Sequence, residues 1–322
     1  MKHSIVALLA IAVLITACTP RAGVSPPFPA SSQRTASSRR ATSSSTLYVS
    51  DSIANKVVAF QLSGSNQPPI ATITNGIDVP AGMATDAAGN LYVANAGNNT
   101  VTEYHPGGSS PVTTLSQGLS GPVDVAVDSK GTVYVANYYT FGDSIVEFLG
   151  GGSKPSLSIH QQCSCYPTAL ALDANENLYV TYQNFYSNPA VYEYSPGSKD
   201  GTDLDLAFGS GGHFFAAGLL VDKAGNLIVA VGSIPSIEVF PPGKKSPSQS
   251  FGATGSPQLL QFVNDEGDVV VSDTANHAIE EYTYPGGSLV DTFTSGLQSA
   301  YGAAVGGSST SRGKRCRCKR RT

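Results

Sequence analysis

One short phrase recurs six times along the chain. Two apolar residues and a valine appear as Leu47-Tyr48-Val49, Leu91-Tyr92-Val93, Val133-Tyr134-Val135, Leu178-Tyr179-Val180, Leu227-Ile228-Val229 and Val269-Val270-Val271. Successive copies are 44, 42, 45, 49 and 42 residues apart. A period of about 40–50 residues, with only short strands in each unit, belongs to radially repeated β-architectures. The expected fold is therefore an all-β propeller, one structural unit per repeat. Such a scaffold leaves a loop face free to bind, while the repeat itself names no ligand.

Each repeat resolves into four strands. In one, Pro122-Val123-Asp124-Val125-Ala126-Val127-Asp128 alternates as a first strand. Residues 132–136 read as the second strand, 144–149 as the third and 154–159 as the fourth. First strands recur at 82–86, 125–128, 169–173 and 218–222, rich in small residues. Small side chains suit an innermost position where strands converge on an axis. The turn Asp-x-x-Gly-Asn occurs at Asp86 to Asn90 and at Asp222 to Asn226. There Asp bonds its own backbone and Gly tolerates positive φ. No amphipathic helical pattern competes between residues 46 and 307. The chain enters the repeats at a second strand (Leu47) and leaves them at a first strand (residues 300–305). The two ends then share one sheet and close the ring, which removes two open edges. Counting first strands predicts six four-stranded antiparallel blades over residues 46–307.

The flanks read differently. Met1-Lys2-His3 precedes an apolar run over residues 5–15, too short for a membrane-spanning helix. Ile15-Thr16-Ala17-Cys18 follows and resembles a bacterial lipobox. That resemblance implies a signal peptide over 1–17 and lipidation of Cys18. It also implies an extracytoplasmic address in the periplasm or cell envelope, anchored to a bacterial membrane (outer membrane or cell surface if Gram-negative). Residues 18–45 are Ser-, Thr-, Pro- and Ala-rich and read as a disordered tether, with a reach of about 30 Å as a flexible coil. Residues 308–322 form a basic tail carrying Cys316 and Cys318.

Charge is segregated. Of 19 Lys and Arg, five precede Thr46 and seven lie in the tail, leaving 19 − 5 − 7 = 7 in the propeller, all Lys. All 23 carboxylates lie in the propeller, so its formal charge is 7 − 23 = −16. Nucleic-acid binding needs a cationic face that releases counterions from phosphates, so no nucleic acid is expected at the propeller. Such a field instead draws cations.

Units such as Pro122 to Asn137 and Ala84 to Asn95 resemble NHL-type propeller repeats, in particular the secreted bacterial ones with Pro-Gly turns such as His105-Pro106-Gly107-Gly108. The resemblance implies a six-bladed propeller serving as a binding platform, a lyase or a lactonase. Many such repeats carry Arg before the third strand. Here those stretches read Asn55-Lys56-Val57, Asn99-Thr100-Val101, Asp143-Ser144-Ile145 and Asn276-His277-Ala278, which departs from the RNA-binding members.

Strand order puts the second-to-third and fourth-to-first loops on one face. Their aromatic and His residues are the candidate ligand surface: Tyr138, Tyr139, Phe141, Tyr166, Tyr182, Phe185, Tyr186, His213, Phe214 and Phe215. Aromatic faces suit peptide, protein or glycan ligands. Propeller lactonases resembling this family hold a divalent cation with axial carboxylates and amides. The corresponding positions here are expected at Gly82, Asp124, Ala169, Gly218, Leu260 and Gly302, with Asp78, Asn95, Asn137 and Asp273 adding oxygens if their loops bend inward. One axial carboxylate falls short of the six to eight oxygens calcium wants. No nucleophile–base pair emerges, so no catalytic residue, metal ligand or cofactor is assigned. Cys163 and Cys165 read as a disulfide or inert thiols, with a soft-metal role near His160 as the alternative. The expectation is a non-catalytic binding module, with a lactonase-like or lyase-like enzyme using a divalent cation at the central mouth as the alternative. Replacing Cys18 by Ser should release the protein from membranes on cell fractionation; continued attachment would refute the lipid anchor.

Overall fold

The computed structural model describes residues 45–62, 67–138, 144–160, 165–184, 189–208, 216–232, 235–253, 255–263 and 267–306. They form six sheets of four antiparallel strands. The closing blade pairs β24 (Ala300–Gly306) with β1 (Thr46–Asp51), β2 (Lys56–Gln61) and β3 (Ala71–Ile73). The first blade is β4 (Pro80–Thr85), β5 (Leu91–Asn95), β6 (Thr100–Tyr104) and β7 (Thr113–Leu115). The second is β8 (Pro122–Val127), β9 (Val133–Asn137), β10 (Ser144–Phe148) and β11 (Leu157–His160). The third is β12 (Cys165–Leu172), β13 (Leu178–Asn184), β14 (Ala190–Tyr194) and β15 (Thr202–Asp203). The fourth is β16 (Ala216–Val221), β17 (Leu227–Val231), β18 (Ser236–Phe240) and β19 (Gln249–Gly252). The fifth is β20 (Pro257–Val263), β21 (Asp268–Asp273), β22 (Ala278–Thr283) and β23 (Leu289–Phe293).

The predicted closure is present. β24 runs antiparallel to β1, with Leu47 opposite Val305, Tyr48 opposite Ala304 and Val49 opposite Ala303. The described fourth strands are shorter than the sequence suggests: the second blade's starts at Leu157 rather than at residue 154. These outermost strands are half exposed, so less apolar burial holds them.

The apolar residues form six clusters, each at a boundary between neighbouring blades. Tyr92 and Ala94 of the first blade pack with Val125, Val133 and Val146 of the second. Val229 and Phe240 of the fourth pack with Ala169 and Val191 of the third. Leu47, Val49 and Phe60 of the closing blade pack with Val270, Ile279 and Phe293 of the fifth. Second strands are covered on both faces, and this explains the recurring phrase: a strand buried on two sides reads as a continuous apolar run rather than an alternation. Each fully buried Val, Leu or Phe contributes about 1.5–3 kcal/mol. The tyrosine in the phrase keeps its hydroxyl near the sheet end, where Tyr92 lies close to the carboxylates of Glu103 on β6 and Asp86 in the turn. Burial and those carboxylates together push its pKa upward and keep it protonated.

The predicted turns form through the Asp side chain. Asp86 Oδ1 accepts the N–H of Ala88 and Asn90 at 2.9 Å, and Asn90 Nδ2 donates to Oδ2 at 2.8 Å. Asp173 and Asp222 repeat the pattern. Gly89 and Gly225 hold φ of 85° and 80°, which only glycine adopts cheaply.

Every first strand carries a β-bulge near its start. The register slips between Pro80 and Met83, Pro122 and Asp124, Pro167 and Ala169, Ala216 and Gly218, Pro257 and Leu260, and opposite Ser50 and Asp51 for β24. A bulge bends its strand and adds twist, which turns the strand start toward the next blade. Neighbouring backbones touch there. A Cβ on Gly218 would strike Gln258 O and come within 3.1 Å of Leu259 Cα; one on Gly302 would lie 2.5 Å from Ala81 O. Because the obstacles are backbone, Gly218→Val should lower the urea-unfolding free energy by at least about 2 kcal/mol; an unchanged midpoint would contradict the close approach.

Candidate functional site

The bulges set the level at which the blades are tied at the axis. Ser50 Oγ donates to Ala81 O at 2.7 Å and accepts Gly302 N–H at 2.8 Å, joining the closing and first blades. Thr168 Oγ1 donates to Ala216 O at 2.8 Å between the third and fourth. Ser272 Oγ donates to Tyr301 O between the fifth and closing blades. Between the second and third the link is a carboxylate: Asp124 Oδ2 accepts Leu170 N–H at 2.8 Å, and Oδ1 accepts Val125 N–H at 2.9 Å. Gly82 lies against the same side chain from the first blade.

Gly82, Asp124, Ala169, Gly218 and Gly302 sit near these bulges, as the sequence suggests. Leu260 also borders its bulge, whose slip runs from Pro257 to Leu260, but it lies opposite Val271, one step past the level at which Asp124 lies opposite Ala136. The residue at that level is Leu259, whose N–H bonds Ser272 Oγ at 3.0 Å.

Of the polar residues considered as extra axial oxygens, Asn95, Asn137 and Asp273 have their side chains engaged in the scaffold. Asn95 Oδ1 accepts Asp78 N–H at 3.1 Å, Asn137 Oδ1 accepts Ser120 N–H at 3.0 Å, and Asp273 Oδ1 accepts Ser256 N–H at 3.0 Å. Asp51 Oδ2 likewise accepts Gln298 N–H at 2.8 Å. Each is the last residue of its second strand and is fully buried. Each holds the entry of its own blade's first strand. Neighbouring blades are stitched by Asn55 and Asn99, whose Oδ1 atoms accept Val79 and Gly121 N–H at 2.6 and 2.7 Å. The recurring Asp or Asn after the Val-Ala or Val-Ser step was the available sequence signal for these latches.

A divalent metal of lactonase type needs several oxygens converging on one axial point. Among the described residues no group of three or more His, Cys, Asp or Glu has that geometry. Asp124 is the carboxylate at the axial level among the described residues, one donor group where such a metal takes several. The described residues do not fit such a metal.

Below Asp124 the axis opens into a cavity of about 240 Å3. Met83, Val125, Leu170, Leu219, Leu260 and Phe262 are among its walls. It occupies the half of the channel nearest the Asp-x-x-Gly turns, and Thr85, Val127, Leu172 and Val221 at that end are partly exposed. Burial dominates the electrostatics of Asp124: it raises the carboxyl from 3.8 to about 7, against the lowering effect of the two N–H donors.

The candidate aromatic surface divides. Tyr138 and Tyr166, from the second and third blades, meet edge to face with ring centroids 4.4 Å apart. Tyr138 is partly exposed; Tyr166 is buried. Tyr182 is 1% exposed and its hydroxyl meets that of Tyr194 at 3.1 Å, inside the interface between the second and third blades. Tyr139, Phe141, Phe185, Tyr186, His213, Phe214 and Phe215 lie outside the described residues, as do Cys18, Cys163 and the terminal segments. Cys165 is disulfide-bonded and buried.

A family model described as "SMP-30/Gluconolactonase/LRE-like region" matches residues 41–114, spanning the closing and first blades. No curated protein sequence matches the chain. Among solved structures, the "Crystal structure of Nidogen/Laminin Complex" contains a similar chain at 18% identity and TM-score 0.67, over 81% of this chain and 98% of that one. The "Kuenenia stuttgartiensis Hydrazine Synthase" contains another at 14% identity and TM-score 0.59, over 80% and 86%.

Linkage makes Asp124 measurable. In the unfolded chain it ionises near 3.8, in the fold near 7, so between those values the folded state holds more protons. Its contribution is complete below the unfolded value and is lost as pH rises to about 7, by up to about 4 kcal/mol. The difference in unfolding free energy between wild type and Asp124→Asn should therefore shift toward the variant between pH 4.5 and 8; parallel pH profiles would refute the buried acid. Strand topology makes this chain a six-bladed β-propeller, similar over residues 41–114 to the SMP-30/gluconolactonase-like model.

Proposed function

We propose that the protein is a lipid-anchored, extracytoplasmic propeller that binds a protein, peptide or glycan through its second-to-third and fourth-to-first loops without catalysing a reaction. The observation that carries this reading is the fate of the polar groups near the axis. Asp51, Asn95, Asn137 and Asp273 accept backbone N–H groups of their own blades, and Asp124 bridges two blades. A hydrolase directs such groups at a metal or substrate; here they hold strands. The variable loops on a rigid frame are then the surface with freedom to recognise a partner. The Tyr138–Tyr166 pair at the join of the second and third blades supports an aromatic patch there. The anchor rests on the lipobox-like stretch ending in Cys18.

The match of residues 41–114 to a lactonase-type model favours a second reading, hydrolysis of a cyclic ester at the loop-face mouth.

Two measurements separate them. Peptide and glycan arrays probed with the full chain should give a ligand whose binding falls about tenfold or more when Tyr139, Phe141 and Phe214 are changed to Ala, with the unfolding midpoint unchanged. Lactone turnover of about 1 per second or faster, abolished by EDTA and restored by calcium, would replace the binding reading with the enzymatic one.

A further inference from the structure

We propose that the axial cavity on the Asp-x-x-Gly face is a second binding site, separate from the loop face, for a small organic ammonium ion with an apolar body. The cavity is about 240 Å3, below the roughly 300–1,000 Å3 of sites for drug-sized ligands, so its occupant is small. Its walls are apolar side chains of the innermost strands, with Gln261 and Thr85 as polar neighbours, and Asp124 is the carboxylate in its lining. Asp124 is 5% exposed. Each of its oxygens accepts one backbone N–H and keeps a lone-pair direction free.

Among the described residues no Lys, Arg or His is paired with this carboxylate: Lys56 is paired with Asp51, Lys130 with Glu176 and Lys245 with Asp205. Burying an ionised carboxylate without a counter-charge is costly, and the raised pKa of Asp124 is the consequence. A ligand that brings one positive charge and buries its alkyl part against Leu170, Leu219 and Phe262 removes that cost and gains apolar contact. A divalent metal ion gains little, because the cavity offers one carboxylate and apolar walls where it needs six or more oxygens. Anions are repelled by Asp124 and by a propeller with formal charge 7 − 23 = −16.

The test is calorimetric titration of the full chain at pH 8, where Asp124 is ionised, with n-butylammonium, n-butanol and butyrate. The ammonium should bind at least about tenfold more tightly than the alcohol or the acid. Asp124→Asn should bring ammonium and alcohol to about the same affinity. Gln261→Trp, which fills the cavity and leaves the carboxylate in place, should abolish ammonium binding with the unfolding midpoint unchanged; it decides the matter if Asp124→Asn fails to fold. Three results would overturn the proposal: equal affinity for the alcohol, ammonium binding unaffected by Gln261→Trp, or a dissociation constant weaker than about 10 mM. Displacement of the ammonium by equimolar calcium would also overturn it, in favour of a metal site. Loss of partner binding at the loop face would leave these results unchanged, so the two sites fail independently.

Discussion

Every blade depends on the ladder between β1 and β24. Each sheet buries both of its broad faces against neighbours, and each of the six apolar clusters spans a blade boundary. No blade owns a core. An opened ring would expose two second-strand faces at once, together with the edges of β1 and β24. Residues from the two ends of the propeller, Leu47 and Val305 among them, lie opposite each other in the one sheet that prevents this. The residues between them need no central core, because circular packing replaces it.

That arrangement crowds the axis, and the crowding explains most of the polar chemistry. Six innermost strands cannot all carry ordinary side chains at the level of closest contact. Glycine occupies it at Gly82, Gly218 and Gly302, and bulges re-aim the strands. Hydroxyls of Ser50, Thr168 and Ser272 then bond backbone carbonyls of the next blade. Asp124 performs the same bridging with a carboxylate, which takes two N–H donors where a hydroxyl would take one. The result is a charged group in a place whose other members are neutral. Its cost appears as a raised pKa, and its opportunity as a cavity wall on which no described residue places a counter-ion.

The two faces of the ring are unequal for a local reason. The turns between first and second strands are closed by their own Asp side chains and vary little, Glu176 taking the glycine's place in the third blade. The opposite face is held at the roots of its loops by Asn95, Asn137 and Asp273 and between blades by Asn55 and Asn99. Beyond these fastenings the loop sequences are free to differ. Binding through that face is compatible with a rigid frame because the fastenings, not the loop tips, carry the geometry.

The repeat period, the apolar second strands and the Asp-x-x-Gly turns made the blade count and the ring closure legible without coordinates. These are local signals: periodicity follows from burial on two faces, and turn chemistry from a single Asp and Gly. The aromatic residues were less readable. Tyr138 and Tyr182 look alike in the sequence, yet one is partly exposed and the other lies inside a blade boundary, because exposure depends on what the neighbouring blade places opposite. Asn95 and Asp273 looked like possible metal oxygens and proved to be latches, since a carboxamide or carboxylate is defined by its partners rather than its type. Leu259, not Leu260, stands at the axial level: it follows Pro257 by two residues, as Gly82 follows Pro80 and Asp124 follows Pro122, so the spacing from proline was the signal. The sequence by itself determined the architecture, through patterns repeated within each unit. Only the tertiary structure decided which polar groups are spent on the scaffold and where a charge is left uncompensated, because both depend on contacts between units that no single repeat encodes.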